Sequence, residues 1–344
     1  CILIGVLLFM ALGSFAEAGL VFACVPLALV GGALALVLRG MPFSVSAAVG
    51  FIAVSGVATL NGLVLMQAIR ERLTGGAAPR LAAIDWAMLE TAITIGHMPV
   101  AAAELVRFRA DVIEPVVPDA VTDLGLRGAP NFELLQLVRP DLILSSPYYT
   151  HYEDRLRQIA PVLSLPFFVP GERPLPKAIA ALTALADSIA DHAAGVDAVA
   201  KVEAELDALG QRLEPFRDRP VAVVNIGDAR HLRAFGFDSL FGSTLDRLGL
   251  QNAWTGNTAF SFLAPVPIER LAEMPDARLV VVGALPPSAE RALSRSILWR
   301  ALPPVAQERT YLLADTNAFG AVPAALRFAN LLVQALEAGP RPIA

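Results

Sequence analysis

Cysteine and histidine are nearly missing, with two and four residues in a chain of 344. Cys1 and Cys24 both fall in the apolar amino-terminal part. They offer the remainder neither metal-ligand spacing nor a disulfide, so cysteine usage leaves its redox compartment open. His97, His151, His192 and His231 are scattered, with no pair at helical or finger spacing, which argues against a dedicated metal site. Asp228-Ala-Arg230-His231, just after a predicted strand, has residue types suited to acid–base chemistry. No serine or cysteine nucleophile motif accompanies it, and a loop salt bridge accounts for it. No glycine-rich phosphate loop of recognisable pattern occurs either. The chain does not read as an enzyme. Positive charge is also short: the net charge is −5, and an acidic body without a basic stripe argues against nucleic acid as a partner.

Apolar residues, by contrast, make up 55% of the chain, and the mean hydropathy of +0.57 exceeds that of an ordinary soluble protein. The excess is local. Before residue 77 the only charges are Glu17, Arg39, Arg70, Glu71 and Arg72. Apolar runs cover 2–12, 20–38 and 47–69, and the second and third each reach the ~20 residues that cross ~30 Å of hydrocarbon. The first is too short to span unless its beginning is missing, and the start at Cys1 rather than methionine reads as a truncation. A lipid-modified Cys1 would call for a polar tether, whereas the run that follows looks like a membrane span. Gly-Ser-Phe-Ala-Glu-Ala-Gly (13–19) and Arg39-Gly-Met-Pro-Phe-Ser44 read as turns. Gly31, Gly32, Gly50, Gly56 and Gly62 suit close helix packing in lipid. Asn61 reads as an amide satisfied by a neighbouring helix. Arg70 and Arg72 place the end of the third run on the cytoplasmic side.

Composition changes at Thr74-Gly-Gly-Ala-Ala-Pro-Arg80, where small residues form a junction. Beyond it strands and helices alternate, which predicts α/β lobes with mainly parallel sheets. Predicted strands are Leu81–Ile84, Asp141–Ser145, Val162–Phe168, Pro220–Asn225 and Arg278–Val282. Predicted helices open at Trp86 and cover Pro130–Val138 (beginning at the proline), Lys177–Ala190, Leu240–Leu248, Ile268–Met274 and Ala324–Ala338. A long helical stretch, Asp191–Phe216, carries Val196, Val199, Val202, Leu206, Leu209 and Leu213 at helical spacing. One long helix between two α/β series predicts two lobes, 81–190 and 217–344, joined by 191–216. Ligand would then lie at strand ends facing the cleft.

Two resemblances follow from the motifs. Pro26-Leu-Ala-Leu-Val-Gly-Gly32, Arg39-Gly-Met-Pro-Phe-Ser-Val-Ser46, Gly50-Phe-Ile-Ala-Val-Ser-Gly-Val57 and Asn61-Gly-Leu-Val64 resemble part of the membrane domain of heavy-metal efflux pumps of the RND superfamily. That implies a transmembrane helical fragment over 1–73, and length excludes a working pump. Downstream, six runs of the first lobe resemble the ferric-hydroxamate-binding proteins (FhuD type) of siderophore importers. These are Asp85-Trp86, Glu114-Pro-Val-Val-Pro-Asp119, Asp123-Leu-Gly-Leu-Arg127, Pro130-Asn-Phe-Glu-Leu-Leu135, Arg139-Pro-Asp141 and Gln158-Ile-Ala-Pro161. The second lobe adds Phe235-Gly236, Ser239-Leu-Phe241, Asn252-Ala-Trp254, Ile268-Glu-Arg-Leu-Ala272, Leu298-Trp299 and Phe319-Gly320, in order to the chain's end.

This second resemblance implies a class III periplasmic-binding-protein fold, two helix-linked lobes preceded here by two to three transmembrane helices. It implies the substrate-binding component of an ABC importer that captures a pre-formed ferric siderophore. Such a complex brings iron already saturated with oxygen ligands, so no iron ligand and no cofactor is expected of the protein. Arg127 is suited to donate to hydroxamate oxygens; its alternative is a surface pair with Glu133 or Asp123. Tyr149 falls where the family places a chelate-binding tyrosine, with Tyr148 as a substitute. Ser145, Asn317 and Phe262 stand where relatives carry tryptophans, as does Asp111, and imply a more polar pocket. Phe260, Phe262, Phe319 and Trp254 are the aromatic candidates of the second lobe, Trp254 reading first as packing. For permease docking the candidates are Glu153 or Asp154 on one lobe and Glu269 on the other. Cobalamin, haem or a ferric catecholate are the alternative cargoes, and an incidental soluble part on a transporter fragment is the alternative class. A catecholate complex would want several basic groups, and Arg127 is the one the sequence places there. The expected location is the inner membrane with the binding lobes in the periplasm. The arginine bias of the third apolar run points the other way, so either the fusion reorients the helices or the joined chain is a rearranged gene.

Overall fold

The computed structural model describes residues 78–256 and 266–343. The chain divides into two compact units, Cys1–Ala78 and Pro79–Ala344, and the described residues belong almost wholly to the second. The expected spans within 1–73, most of the junction 74–80, and the candidates Phe260 and Phe262 lie outside the described residues. Among those described, no helix is long and apolar enough to cross a membrane.

The first lobe is built on β1 (Leu81–Ala83), β2 (Ala101–Ala102), β3 (Thr122–Asp123), β4 (Leu142–Ser145) and β5 (Val162–Ser164). All are parallel, in the order β3-β2-β1-β4-β5. Burial explains the apolar run of β1, whose three residues are all covered, as a parallel strand between helix layers requires. Helices α1 (Trp86–Thr94), α2 (Leu105–Asp111), α3 (Phe132–Val138) and α4 (Glu153–Arg157) fill the crossovers. Two boundaries differ from expectation by two residues or more. The helix expected from Pro130 begins at Phe132, because the Asn131 side chain accepts from the Leu134 N–H at 2.9 Å and caps it. The strand expected over Val162–Phe168 ends at Ser164, two residues before Pro166, which lacks the N–H a ladder needs.

Two antiparallel helices follow, α5 (Pro174–Ser188) and α6 (His192–Arg212). The first begins three residues earlier than expected, with Pro174 at a position where a missing N–H costs nothing. The long stretch expected to Phe216 stops at Arg212 and tightens into a 3-10 turn, Glu214–Phe216, around Pro215. Val202, Leu206, Leu209 and Leu213 are buried as their spacing predicts, whereas Val196 is 50% exposed and faces solvent.

The second lobe orders its strands β10-β9-β6-β7-β8. β6 (Val221–Ile226), β9 (Arg278–Val282) and β10 (Thr310–Leu313) are parallel, while β7 (His231–Ala234) runs antiparallel to its neighbours β6 and β8 (Val266–Pro267). This sheet is therefore mixed rather than mainly parallel: the tight turn held by Asp228, which accepts from the Arg230 and His231 N–H groups, folds β7 straight back on β6. Its helices are α7 (Leu240–Arg247), α8 (Pro287–Arg295), α9 (Ile297–Ala301), α10 (Pro303–Ala306) and α11 (Val322–Ala338), and the segment expected as a helix from Ile268 is a 3-10 turn to Glu273.

One buried apolar cluster runs through both lobes. It begins at Leu81 and Trp86, crosses α5 and α6 at Leu182 and Leu206, and continues to Val280 and Phe328. Smaller clusters line the outer side of each sheet. The lobes therefore share a core.

Candidate functional site

In an open α/β sheet, ligands lie beyond the carboxyl ends of the strands where the strand order reverses. In the first lobe that point lies between β1 and β4. Asp85 follows β1, Ser145 ends β4 with Ser146 just beyond it, Glu104 follows β2, and Arg127 follows β3. The topology thus gathers residues spread over some sixty positions onto one edge.

Asp85 caps α1: one carboxylate oxygen accepts from the Ala87 and Met88 N–H groups at 2.7 and 3.2 Å, the other from the Ser146 hydroxyl at 3.0 Å. Burial nevertheless holds its pKa above the ordinary carboxylate value, with these hydrogen bonds and the Arg127 charge working against that rise. Trp86 donates its indole N–H to the Ala103 carbonyl at 3.1 Å and meets Phe108 edge-on at 5.3 Å. Its ring is thereby fixed, and Arg127 lies over it, the guanidinium carbon 3.7 Å from the ring centre. The Arg127 Nε donates to the Glu104 carboxylate at 2.6 Å.

The expected alternative for Arg127 named Glu133 or Asp123; its partner is Glu104 instead. Glu104 reaches it from a left-handed backbone conformation (φ 59°), tied down by its N–H on the Gly125 carbonyl at 2.6 Å. Stacked on one side and paired at Nε, the guanidinium keeps its terminal nitrogens for a further oxygen acceptor.

Tyr149 stands beside this group, 5% exposed, in a kink of the 3-10 turn Pro147–Tyr152. Burial, then the Asp85 charge, pushes its pKa up to about 12, so near neutral pH the phenol keeps its proton and is a donor. Tyr148 is 82% exposed and meets the Tyr149 ring edge-on at 5.3 Å. Ser145 is buried at the strand end.

From the second lobe, the loop between β10 and α11 brings Asn317 and Phe319. The Phe319 ring meets Phe168 of the first lobe at 5.6 Å, edge to face. Asn317 accepts from the Phe319 N–H at 3.0 Å and donates to Glu90 of α1 at 3.1 Å. Glu90 is wholly buried and also accepts from the Ala321 and Ala324 N–H groups at 2.6 and 3.3 Å. Desolvation raises its pKa from 4.5 to about 7, against the pull of those donors. A carboxyl that holds its proton more tightly folded than unfolded stabilises the fold fully below pH 4.5, and that contribution is lost as pH rises to about 7. Melting temperatures of the protein should accordingly fall between pH 5 and 7, and Glu90→Gln should flatten that part of the profile; an unchanged slope would refute the assignment.

Trp254 belongs to the second-lobe core with Arg270 over its ring at 5.3 Å. Glu153 pairs with Arg157 on α4, whereas Asp154 and Glu269 are exposed. Among the described residues no group of three His, Cys, Asp or Glu stands where it would hold a metal ion. His231 pairs with Asp228 at 3.1 Å, as a loop salt bridge predicts, and His97 pairs with Asp191 at 2.8 Å. A separate hollow of about 450 Å³ lies against Arg173, Leu175, Ile179 and Arg247, but its charged groups already pair with one another.

Sequence reading alone did not single out Glu104, Trp86 or Glu90 for the site. Glu90 had a readable signal, being the only ionisable residue in the helix Trp-Ala-Met-Leu-Glu-Thr-Ala-Ile-Thr.

Two α/β lobes joined through a long helix, with polar groups converging at the strand ends, define a class III periplasmic binding protein. The periplasmic binding protein family matches residues 81–316, and the chain belongs to it. It is 32% identical over 257 residues to the iron(3+)-hydroxamate-binding protein FhuD of Escherichia coli, covering 75% of this chain and 86% of that one. Among solved structures it resembles the Fe3+–Desferal-bound siderophore-binding protein FhuD of Vibrio cholerae, with TM-score 0.70 and 24% identity over 77% of this chain and all of that one. The catecholate-siderophore-binding protein VctP of Vibrio cholerae shares the fold at TM-score 0.56 and 18% identity over 76% of this chain and 94% of that one.

The amino-terminal end has other relatives. Residues 1–91 match the AcrB/AcrD/AcrF family. The nickel and cobalt resistance protein CnrA of Cupriavidus metallidurans is 57% identical over 110 residues, which are 30% of this chain and 10% of that protein. The chain thus spans about a tenth of the length of that relative.

Proposed function

We propose that residues 79–344 capture a ferric hydroxamate siderophore between the two lobes and deliver it to the permease of an ABC importer. The observation that carries this is the Arg127 guanidinium, clamped between Trp86 and Glu104 beside the buried Tyr149 phenol. Together they present N–H and O–H donors to an oxygen-rich surface, while Phe168 and Phe319 supply apolar wall. The similarity to a protein named for iron(3+)-hydroxamate binding supports the same cargo.

Charge favours a hydroxamate over a catecholate. A ferric tris-hydroxamate is neutral, whereas a tris-catecholate is strongly anionic. Arg127 is already offset by Glu104, and Asp85 lies close by, so this wall offers no positive excess. The ligand arrives with its iron coordinated, and the protein contributes donors rather than metal ligands.

The test is quenching of intrinsic tryptophan fluorescence in the purified full chain by ferric ferrioxamine, ferrichrome and a ferric catecholate. Saturable quenching by a hydroxamate is expected, because Trp86 lies directly behind Arg127. No saturable quenching by either hydroxamate, from a folded protein, would sink the reading; preference for the catecholate would replace the cargo.

Docking on the permease is assigned to Asp154 and Glu269, with Glu153 partly engaged by Arg157. Reversing Asp154 and Glu269 to lysine should leave ferric-hydroxamate affinity unchanged within twofold and cut transport in reconstituted vesicles severalfold. Unaltered transport would reject these positions.

A further inference from the structure

Helix α11 starts in an unusual way. The residue at its amino-terminal cap is Ala321, which has no side-chain oxygen, and no side chain of its own segment caps it. Ordinarily a Ser, Thr, Asp or Asn at that position satisfies the first free N–H groups. Here the acceptor comes from the other lobe. Glu90, 231 residues earlier in α1, accepts from Ala321 at 2.6 Å and from Ala324 at 3.3 Å. Its second oxygen accepts from the Asn317 amide at 3.1 Å. A carboxylate at a helix amino terminus is also favoured by the helix dipole.

The fit leaves no slack. A Cβ added at Gly320 would lie 2.4 and 2.5 Å from the two Glu90 oxygens and 2.5 Å from the Ala324 Cβ. The backbone of the 316–321 loop is therefore pressed directly on the carboxylate. Two further contacts lie near it: Phe168 against Phe319, and Arg327 of α11 on Glu114 of the first lobe at 3.3 Å. Meanwhile α1 carries Asp85 at its own start, five residues before Glu90, against Ser146 and within the field of Arg127 and Tyr149. One short helix thus holds the donor wall at its first residue and the opposing loop one turn later.

We infer that Glu90 is a positioning residue: it caps α11 from across the lobe boundary and sets the place of the loop carrying Asn317 and Phe319 opposite the Arg127–Tyr149 wall. The inference rests on the proposed function for what the loop faces, but not for the contact itself. If the loop is preset, ligand meets an assembled groove; if the cap is removed, only part of the population is competent and apparent affinity falls by that fraction.

Glu90→Gln keeps the volume and one acceptor oxygen, but turns an N–H₂ toward one of the groups that now donate to the carboxylate. Glu90→Leu removes both acceptors. In the unliganded full chain, amide exchange at Ala321 and Ala324 should accelerate at least tenfold in Glu90→Leu, with the amides of β1 and β9 unchanged. In Glu90→Gln, the dissociation constant for ferric ferrioxamine should rise at least fivefold at pH 8 without a lower melting temperature, since a buried charge is removed. A purely structural role would lower the melting temperature and leave the affinity of the folded fraction alone. Unaltered exchange in Glu90→Leu, or unaltered affinity in Glu90→Gln, overturns the inference. Should Glu90→Leu fail to fold, the Glu90→Gln affinity decides. If the unmodified chain binds no ferric complex while exchange responds as expected, the proposed function fails and the cap across the lobes stands.

Discussion

Arg127→Ala is expected to weaken ferric-hydroxamate binding about 100-fold, about 2.7 kcal/mol. Two losses combine. The ligand loses a charge-assisted donor, worth about 1.5–3 kcal/mol. Glu104, largely covered, is left without its partner and adds an unopposed negative charge to the wall. Arg127→Lys should recover little of this. An ammonium on a flexible stem neither stacks flat on Trp86 nor serves Glu104 and a ligand oxygen at once from a fixed fork. Removing the carboxylate as well, in Glu104→Gln with Arg127→Ala, should regain part of the loss by taking away the stranded charge. Isothermal titration with ferric ferrioxamine measures all three. An affinity in Arg127→Ala within threefold of the unmodified protein would remove Arg127 from the site.

Trp299→Ala is expected to be the most damaging single change to the fold, costing about 4 kcal/mol. Trp299 is 1% exposed in the core of the second lobe and donates its indole N–H to the Ile343 carbonyl at 2.9 Å. Truncation leaves a large cavity in the cluster that also holds Ile268, Leu279, Leu293 and Leu302. It also removes the tie to Ile343, which itself packs into the same cluster. For a body of this size the loss corresponds to a fall of about 10 °C in melting temperature. Trp299→Phe, which fills most of the space and forfeits only the hydrogen bond, should lie much nearer the unmodified protein. Differential scanning calorimetry of both variants checks this, and equal melting points would contradict the packing.

The lobes and their helices were legible because their signals are local. The apolar spacing of Val202, Leu206, Leu209 and Leu213 points one way, whereas Asn131, expected inside its helix, caps it from outside and moves its start to Phe132. Strand ends were less legible, since in strands of two or three residues a single proline decides the length. The site was readable only in part. Arg127 and Tyr149 were identified by motif, and the fold brings them to one sheet edge. The partner of Arg127 is not the expected Asp123 or Glu133, which are close in sequence, but Glu104, which is close in space on the adjoining parallel strand's loop. Glu90 is hidden for the same reason: its acceptors are matched to N–H groups beyond residue 320, a pairing that neither composition nor periodicity announces.

The core shared by the two lobes also bears on how a transporter can tell a full carrier from an empty one. Jaws that swing apart announce their cargo by changing outline. Here, opening would split the apolar cluster that runs from Leu182 and Leu206 to Phe328 and expose its surfaces to water. The outline should therefore be nearly the same with and without ligand. A permease recognising it would have to sense occupancy at the groove itself, and not from the distance between its two footholds.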